Sequence, residues 1–430
     1  MLKKLITSIS VCMLIATVPG CEKPEPDDNK QPEEEIEQEK PDISDKLPTA
    51  FLSAKETVSG MGAGWNLGNT LESNSGDTTN MWIERWTARK PADYESAWGQ
   101  APATQELFHM MREAGFRSIR VPVTWYPHMG TKFAFNGDSV LWSPAAAPIG
   151  YEVDKEWMAR VKEVVDYVLA EDMYCIINVH HDTGTSNTHW IVASEDSYAV
   201  NNARFKRLWT QIAETFKDYD GRLLFEGYNE MTDEADSWCF ASFGTASHYD
   251  AAMASSAYNA VNAYAQDFVD AVRATGGNNA DRNLIVNTYA GCSGEGNWNN
   301  HLRDPLKEMK LPKDSAKDHL IFQVHYYPTF STITAAKNSV DSFISGLNSD
   351  LVSKGAPVII GEWANGEGSD IRYDKKRTDY LTFAKYFVEK AKANGMATFY
   401  WMGLSDGKDD RTEPKLTQPD LAEAIVEGAK

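Results

Sequence analysis

Residues 47–430 are predicted to form a single α/β domain, a (β/α)8 or TIM barrel. Short apolar runs rich in β-branched residues alternate eight times with segments that repeat their apolar residues at helical period. About 380 residues accommodate eight such strand–helix units with insertions to spare. A doubly wound open sheet is the competing α/β fold, but no glycine-rich phosphate loop follows the first strand.

The eight predicted strands are short and apolar, and polar side chains gather where they end. The strands are predicted at 62–69, 118–123, 174–181, 223–230, 283–290, 320–327, 357–363 and 397–403. In a parallel barrel the carboxyl ends of all strands meet at one mouth, where the active site lies. The polar or aromatic residues at these ends are Arg120, His180, His181, Asn229, Glu230, His325, Tyr327, Glu362 and Trp401. The pattern therefore predicts a functional site at that mouth.

The segments between the strands have the apolar periodicity of surface helices. Helices are predicted at 104–115, 154–171, 203–218, 257–277, 340–355 and 378–395. In the first of them, Leu107 and Met111 lie on one face, Thr104 can cap the start and Gly115 can end the last turn.

Residues 1–21 have the pattern of an export signal. Lys3 and Lys4 precede an apolar run that is too short to cross a bilayer comfortably. The small residue before Cys21 resembles the lipobox of bacterial lipoproteins, in which the cysteine is lipidated and becomes the new N-terminus. Pro19 departs from that pattern, and simple secretion is the alternative. We expect an exported lipoprotein that Cys21 anchors in a bacterial cell envelope, at the outer membrane or cell surface.

Residues 22–46 are predicted to form a disordered tether. They contain eleven acids, four lysines and four prolines, and they have too little apolar surface to fold. The whole chain carries a formal charge of −20. That sign argues against nucleic acid or an anionic membrane surface as a partner, because both attract positive proteins, whereas a neutral substrate is unaffected.

Two of the predicted strands end in a glutamate, at Glu230 and at Glu362. Glycoside hydrolysis needs two carboxyl groups that flank the bond, one protonated to help the leaving oxygen depart and the other ionised. A single strand-end glutamate is more simply explained by a structural salt bridge. Two of them, among arginine, histidine, asparagine and tyrosine at other strand ends, favour a catalytic pair.

Other strand-end side chains suit supporting roles around this pair. Arg120 can hold Glu362 in its ionised form, and Tyr327 can donate a hydrogen bond to the same carboxylate. His325 can bridge to Glu230 and tune its proton.

Contacts to a sugar are expected from amide and aromatic side chains. Asn229 can hydrogen-bond the 2-hydroxyl of a sugar, a contact that strengthens in the transition state. Trp401 provides a flat face for the sugar ring at the cleavage point. Further stacking candidates, of which two or three are expected to touch sugar, are Trp98, Trp125, Trp190, Trp238, Trp298 and Trp363.

Seven motifs occur in order along the chain: "GWNLGNTLE", "IRVPVTW", "NVHHD", "GYNE", "VHYYP", "IIGEW" and "FYWMG". The ordered set closely resembles glycoside hydrolase family 5, which comprises retaining β-glycosidases on a (β/α)8 barrel and includes many cellulases. The resemblance covers about residues 60–403. It implies functional roles for Arg120, His180, Asn229, Glu230, His325, Tyr327, Glu362 and Trp401, with Glu230 as acid/base and Glu362 as nucleophile. His181 is the alternative to His180, which is preferred.

The likeness is greatest to subfamilies that open with "GWNLGNT" and carry a segment similar to "ESAWG" at 95–99. It implies cleavage of β-1,4-glucans, including xyloglucan and mixed-linkage glucans, with Asn66 facing a glucosyl unit on the non-reducing side of the cut. Long insertions at 73–97, 126–153 and 236–256 would form the cleft walls and leave the exact polysaccharide open. An endo-β-1,4-mannanase of the same family is the alternative, because the matched residues do not distinguish glucose from mannose.

Two other classes of protein agree less well with the sequence. A non-catalytic glycan-binding lipoprotein would keep the barrel and the aromatic residues but would need neither glutamate. A metal-dependent hydrolase is suggested by His180, His181 and Asp182, but adjacent strand residues point to opposite faces and rarely share an ion. No metal or cofactor is therefore expected. Aspartate and asparagine are frequent at 72–80 and 406–410, where solvated charge is the favoured interpretation and a calcium site is the alternative left open.

Three cysteines remain in the predicted domain. Cys175 lies in an apolar strand and is interpreted as a core residue. Cys239 and Cys292 lie in predicted loops, and the sequence leaves open whether they pair. The protein is expected to act as a monomer.

Overall fold

Eight parallel strands close into a barrel, as predicted, with each strand beside its neighbours in sequence. The strands are β1 (Ala63–Asn66), β2 (Ser118–Val121), β3 (Tyr174–Asn178), β4 (Leu223–Glu226), β5 (Leu284–Asn287), β6 (Leu320–Tyr326), β7 (Val358–Trp363) and β8 (Ala397–Trp401). All of them lie inside the predicted ranges, and most end earlier because the last residues of each run leave the ladder. Phe135–Asn136 and Ser139–Val140 form a small antiparallel pair after β2.

This computed structural model describes residues 46–430 except 77–80, 132, 134, 137–138, 141–148, 185–187, 235–248, 297–299, 329 and 366–373. The predictions for the export signal, for nearly all of the tether, and for Trp238, Cys239 and Trp298 therefore lie outside the described residues. Cys175 is buried in the core, as predicted. In the part of the chain that is described, no helix is both long enough and apolar enough to cross a membrane.

The helices surround the barrel, and those predicted from periodicity are all present. They are α1 (Ala54–Gly60), α2 (Trp82–Trp86), α3 (Pro91–Glu95), α4 (Gln105–Glu113), α5 (Lys155–Ala170), α6 (Glu195–Thr215), α7 (Ala251–Ala274), α8 (Asp304–Glu308), α9 (Ile333–Asp350), α10 (Arg377–Ala393), α11 (Lys408–Thr412) and α12 (Pro419–Ala429). Helices α6, α7 and α9 begin before the predicted residue because Ser194, Asp250 and Thr332 cap them. Thr104 stands before α4, but its hydroxyl accepts no capping hydrogen bond.

Inside the barrel, an apolar layer lies beneath a polar one. Successive strand residues face alternately outward and inward. Inward-facing Ile176, Leu224, Ile285, Ile321 and Ile359 form one apolar cluster with Ala54 and Val58 of α1, which packs against the N-terminal end of the barrel. Two residues further along the same strands come Asn178, Glu226, Asn287, Gln323 and Gly361. The polar side chains inside the barrel therefore lie nearer its C-terminal mouth than the apolar ones do.

Candidate active site

Arg120 of β2 is the centre of the polar layer, and its side chain is fully buried. It donates two hydrogen bonds to Glu226, from Nε at 2.6 Å and from Nη2 at 2.7 Å. Its Nη1 donates to Glu362 Oε1 at 2.7 Å. The side-chain oxygens of Asn66 and Asn229 accept the remaining bonds, at 3.0 and 2.8 Å. All five N–H groups of the guanidinium are therefore paired.

The charge of Arg120 is shared between two carboxylates. Burial alone would lower the pKa of Arg120, but Glu226 and Glu362 outweigh it and raise that pKa. Burial would likewise raise the pKa of Glu226, but the charge and hydrogen bonds of Arg120 lower it below its ordinary value. The interior of the mouth therefore holds a permanent cation that favours anions beside it.

Glu362 lies near the end of β7, and only 6% of its side chain is exposed. Its Oε1 accepts from Arg120, and its Oε2 accepts from Tyr327 Oη at 2.8 Å. A register shift between Val324 and His325 of β6 brings His325 into pairing with Glu362. Two strong donors, one on each oxygen, fix the orientation of this carboxylate.

Glu230 lies in the loop after β4, beyond the end of the strand on which it was predicted. A backbone hydrogen bond from Asn229 N to Val179 O, at 2.9 Å, holds this loop against the residue that follows β3. Oε1 of Glu230 lies 2.7 Å from Nδ1 of His325, and 34% of the Glu230 side chain is exposed. Glu230 is therefore open to solvent, whereas Glu362 is enclosed.

Glu230 and Glu362 face each other across a short gap. An oxygen of each carboxylate and a nitrogen of His325 all lie within 4.8 Å of one another. Carboxyl groups stand about 5–5.5 Å apart in retaining glycosidases and about 6.5–9.5 Å apart in inverting ones, which need room for a water molecule. The observed spacing agrees with the retaining geometry.

The same three side chains are of types that ligate divalent cations. Both oxygens of Glu362, however, accept hydrogen bonds, one of them from the guanidinium of Arg120. A metal ion bound there would be repelled by that buried positive charge. The surroundings therefore suit a pair of acids better than a metal centre.

His180 follows β3 and points toward Glu362. Asn178 Oδ1 accepts from the backbone N–H of Val123 at 3.0 Å, which fixes the orientation of the amide, so its Nδ2 donates to His180 Nδ1 at 3.0 Å. The proton of His180 therefore lies on Nε2, 4.0 Å from Glu362 Oε1. Burial lowers the pKa of His180 well below its ordinary value, so the ring is neutral.

Two aromatic rings flank these groups and are half-buried. Trp401 ends β8 with its ring parallel to that of His180, the centroids 5.9 Å apart. Trp98 lies beside His181, with centroids 5.4 Å apart. Burial lowers the pKa of His181 to about 4, which leaves it uncharged near neutrality. Both tryptophans retain an accessible surface on which a sugar ring can stack.

Residues 77–406 match the family model described as cellulase, glycosyl hydrolase family 5. The chain belongs to glycoside hydrolase family 5. It is 30% identical over 398 residues to endoglucanase B of Neocallimastix patriciarum, an alignment that covers 88% of this chain and 72% of that protein. This family 5 protein is therefore an enzyme, a glycoside hydrolase.

Solved structures of other family 5 enzymes resemble it closely. A GH5-4 broad specificity endoglucanase from an uncultured bacterium is 50% identical, with a TM-score of 0.78 and coverage of 88% of this chain and 96% of that one. A family 5 enzyme from Prevotella bryantii B14, solved with a xyloglucan tetradecasaccharide, is 38% identical, with a TM-score of 0.72 and coverage of 88% and 99%. Both support the barrel and its family.

Most side chains predicted for the site of this family 5 enzyme meet in one place. Arg120, His180, Asn229, Glu230, His325, Tyr327, Glu362 and Trp401 surround the gap described above, with His181 at its edge. The prediction that Asn66 faces a sugar is wrong, because its side chain is fully buried. Its Nδ2 donates to the carbonyl oxygens of Gly361 and Phe399, at 2.9 and 3.2 Å, so Asn66 supports Arg120 instead.

Three of the predicted stacking residues are core side chains: Trp125, Trp190 and Trp363 are each no more than 2% exposed. The indole of Trp190 donates to Asp182 Oδ1 at 2.7 Å, and the backbone N–H of Trp125 donates to Asp182 Oδ2 at 2.8 Å. Through these two hydrogen bonds, Asp182 holds the loop after β3 against the segment that follows β2. Trp98 and Trp401 remain as candidates for sugar stacking.

The interpretation of residues 72–80 as solvated charge is wrong at Glu72. This carboxylate is buried, accepts a hydrogen bond from Thr70 N at 2.8 Å and also accepts one from Asn69 N. Burial raises its pKa to about 7. Glu72 is therefore part of the folded loop after β1.

Sequence reasoning missed the layer formed by Asn178, Glu226, Asn287 and Gln323. The available signal was a polar residue two positions after an inward isoleucine or leucine, as in "IIN", "LFE", "IVN" and "IFQ". The predictions considered only the final residues of each run. Glu226 was therefore overlooked although it binds Arg120 through two hydrogen bonds.

Replacing Glu226 with glutamine is expected to lower the free energy of unfolding by about 3 kcal/mol, since Arg120 loses one buried counter-charge. The pKa of Glu226 is lowered in the folded state, so its stabilising effect is complete above its ordinary pKa of 4.5 and is lost as the pH falls below it. Denaturant unfolding at pH 7 and at pH 3.5 measures both effects. The variant should lose less stability on acidification than the wild type does, and an unchanged free energy at pH 7 would contradict this role.

Proposed function

We propose that this family 5 enzyme is an endo-acting retaining β-1,4-glucanase. It hydrolyses cellulose-like, mixed-linkage or xyloglucan chains by double displacement, with Glu230 as acid/base and Glu362 as nucleophile. The observation that carries the proposal is the pair of carboxylates within 4.8 Å in unlike surroundings. One is enclosed by donors, and the other is exposed beside a histidine.

In the first step, Glu362 attacks the anomeric carbon while Glu230 protonates the departing glycosidic oxygen. The hydrogen bonds from Arg120 and Tyr327 hold Glu362 in a fixed orientation before the substrate arrives. Burial and the neighbouring carboxylates raise the pKa of Tyr327 well above its ordinary value, so it remains a donor throughout.

In the second step, Glu230 is a carboxylate and takes a proton from the water molecule that attacks the glycosyl-enzyme. Glu362 is released as the leaving carboxylate, and Arg120 stabilises the charge that returns to it. Because Asn229 uses its oxygen to accept from Arg120, its amide N–H groups point away from Arg120, and we propose that they donate to the 2-hydroxyl of the sugar.

The substrate class is inferred from relatives and from the half-buried tryptophans. One similar structure is a GH5-4 broad specificity endoglucanase, and another holds a xyloglucan oligosaccharide. Trp98 and Trp401 are half-buried and provide ring faces on which a sugar can stack. The relatives, which are endoglucanases, favour β-1,4-glucan over mannan.

A substrate panel tests the proposal. The purified protein is incubated with carboxymethylcellulose, barley β-glucan, xyloglucan, glucomannan, mannan and arabinoxylan, and product sizes are measured together with viscosity. We expect oligosaccharides from the glucans, with viscosity falling before many reducing ends appear. Cleavage of mannan in preference to the glucans would favour the mannanase alternative. Glycan binding without product would favour a non-catalytic binder.

We also propose that the enzyme is exported and anchored by lipid on Cys21, through the tether at 22–46, and that it acts as a monomer. Expressed in full in a Gram-negative host with an alkyne-labelled fatty acid, the wild type should carry label and sediment with membranes. Cys21→Ser should abolish both the label and the membrane association. A wild type without label, found in the soluble fraction, would instead support simple secretion.

A further inference from the structure

Gln323 of β6 lies two residues before His325, and its side chain is fully buried. Strand residues two apart face the same way, so both side chains point into the barrel. The Nε2 of Gln323 lies 3.3 Å from Nε2 of His325. Its Oε1 has no hydrogen-bond partner among the described residues. The amide thus meets the imidazole on the side away from Glu230.

A glycine on the neighbouring strand makes room for this amide. A Cβ added to Gly361 would come within 2.3 Å of Cδ of Gln323. The backbone of Gly361 is not in the left-handed region, so its conformation does not require glycine. Glycine is needed because any larger side chain would collide with the amide of Gln323. Gly361 precedes Glu362 on β7, so Gln323 packs against the strand that carries Glu362 and contacts the histidine that binds Glu230.

Charged groups surround the other side of the His325 ring. Its Nδ1 lies 2.7 Å from Glu230 and 3.6 Å from Glu362, while Arg120 and His180 oppose a positive charge there. Burial lowers the pKa of His325, but the two carboxylates raise it above its ordinary value. The carboxylates therefore place a proton on Nδ1 and also favour a second proton on Nε2.

We propose that Gln323 is a positioning residue whose amide N–H donates to Nε2 of His325, which opposes a second proton there and directs the proton of the neutral ring to Nδ1. The proposal rests on the proposed function, because the effect reaches the reaction through Glu230. Nδ1–H donates to Oε1 of Glu230 whether or not Glu230 is protonated. The acid proton of Glu230 then lies on Oε2, where it can reach the leaving oxygen.

A neutral ring matters for the strength of the acid. A positive charge within about 4–6 Å lowers the pKa of a carboxyl group by about 1–3 units. An imidazolium at His325 would therefore stabilise the carboxylate of Glu230 and remove its proton at lower pH. An amide N–H that donates to Nε2 disfavours protonation of that nitrogen. A hydrogen-bond acceptor at the same position would favour it.

The test compares Gln323→Glu with Gln323→Leu through the pH dependence of kcat/KM on barley β-glucan. Glutamate is similar in size and adds a carboxylate at Nε2, so the alkaline limb, which reports loss of the Glu230 proton, should move to lower pH by about one unit or more. Leucine removes the donor but adds no charge, so its alkaline limb should move in the same direction by a smaller amount, and an unmoved limb in Gln323→Leu would contradict the role of the amide. An active wild type whose alkaline limb is unmoved by Gln323→Glu would overturn the role of Gln323 alone, whereas an inactive wild type would overturn the proposed function.

A second measurement does not depend on how the variants fold. Nitrogen-15 NMR of the histidine-labelled wild type reports which ring nitrogen of His325 carries the proton, with His325→Asn used for assignment. We expect that, once the pH is high enough for the ring to be neutral, its remaining proton lies on Nδ1. A neutral ring protonated on Nε2 would overturn the proposal.

Discussion

Replacing Glu362 with glutamine is expected to reduce kcat on barley β-glucan by roughly 10⁴-fold or more, the scale of losing a covalent nucleophile. An amide cannot form the glycosyl-enzyme, although it fills nearly the same volume. Arg120 would keep Glu226 as its counter-charge, so the barrel should remain folded. Initial rates, circular dichroism and the affinity for a cello-oligosaccharide measure these effects separately.

A matched control comes from a glutamate on the surface. The side chain of Glu156 is 59% exposed and, within the described part of the chain, pairs with exposed Lys90, a contact that contributes little to stability. Glu156→Gln should keep its activity within about twofold of the wild type. If Glu362→Gln retained more than about 1% of activity with its fold intact, a nucleophilic role for Glu362 would be excluded.

Replacing Glu230 with glutamine is expected to lower kcat on β-glucan by about 10²–10⁴-fold, the range typical of general acid–base catalysis. A sugar alkoxide is a poor leaving group, so the glycosidic oxygen of β-glucan needs a proton from the acid. Dinitrophenolate is a good leaving group and needs none. On 2,4-dinitrophenyl β-cellobioside, the first step should therefore proceed at nearly the rate of the wild type. A burst of dinitrophenol should follow mixing, because the second step still lacks its base.

Azide provides a further check on Glu230. It attacks the glycosyl-enzyme without needing a general base, so it should raise steady-state turnover of the aryl substrate by Glu230→Gln and yield the β-glycosyl azide. The wild type should show no such acceleration. Equal losses on β-glucan and on the aryl substrate, with no burst and no response to azide, would contradict the acid/base role.

The position of the site was predictable because polar and aromatic residues gather where the predicted strands end. Parallel strands in a closed barrel have one common mouth, so Glu230 and Glu362 could be expected together before any distance was known. Their roles rest on finer detail, namely which oxygen faces Arg120, Tyr327 or His325. That detail depends on closure of the barrel and on the register shift in β6.

Side chains that act through others were harder to predict. Asn66 lies in a motif that suggested contact with sugar, yet β1 pairs with both β2 and β8, which turns its amide inward to Arg120 and to backbone carbonyls. Glu226 and Gln323 lie inside apolar runs, and periodicity alone does not show that their strands bring them beside a cation or an imidazole. The insertions at 73–97, 126–153 and 236–256, which the sequence predicts to form the cleft walls, lie partly outside the described residues.

Trapping the glycosyl-enzyme is the most direct test of the pairing of Glu230 with Glu362. The wild type is incubated with 2,4-dinitrophenyl 2-deoxy-2-fluoro-β-cellobioside, which slows the second step more than the first, and is then digested and mapped by mass spectrometry. We expect one added 2-deoxy-2-fluorocellobiosyl group per protein, on the peptide that contains Glu362. Label on the peptide that contains Glu230, or active enzyme that acquires no label and releases the α-anomer first, would contradict the proposed mechanism.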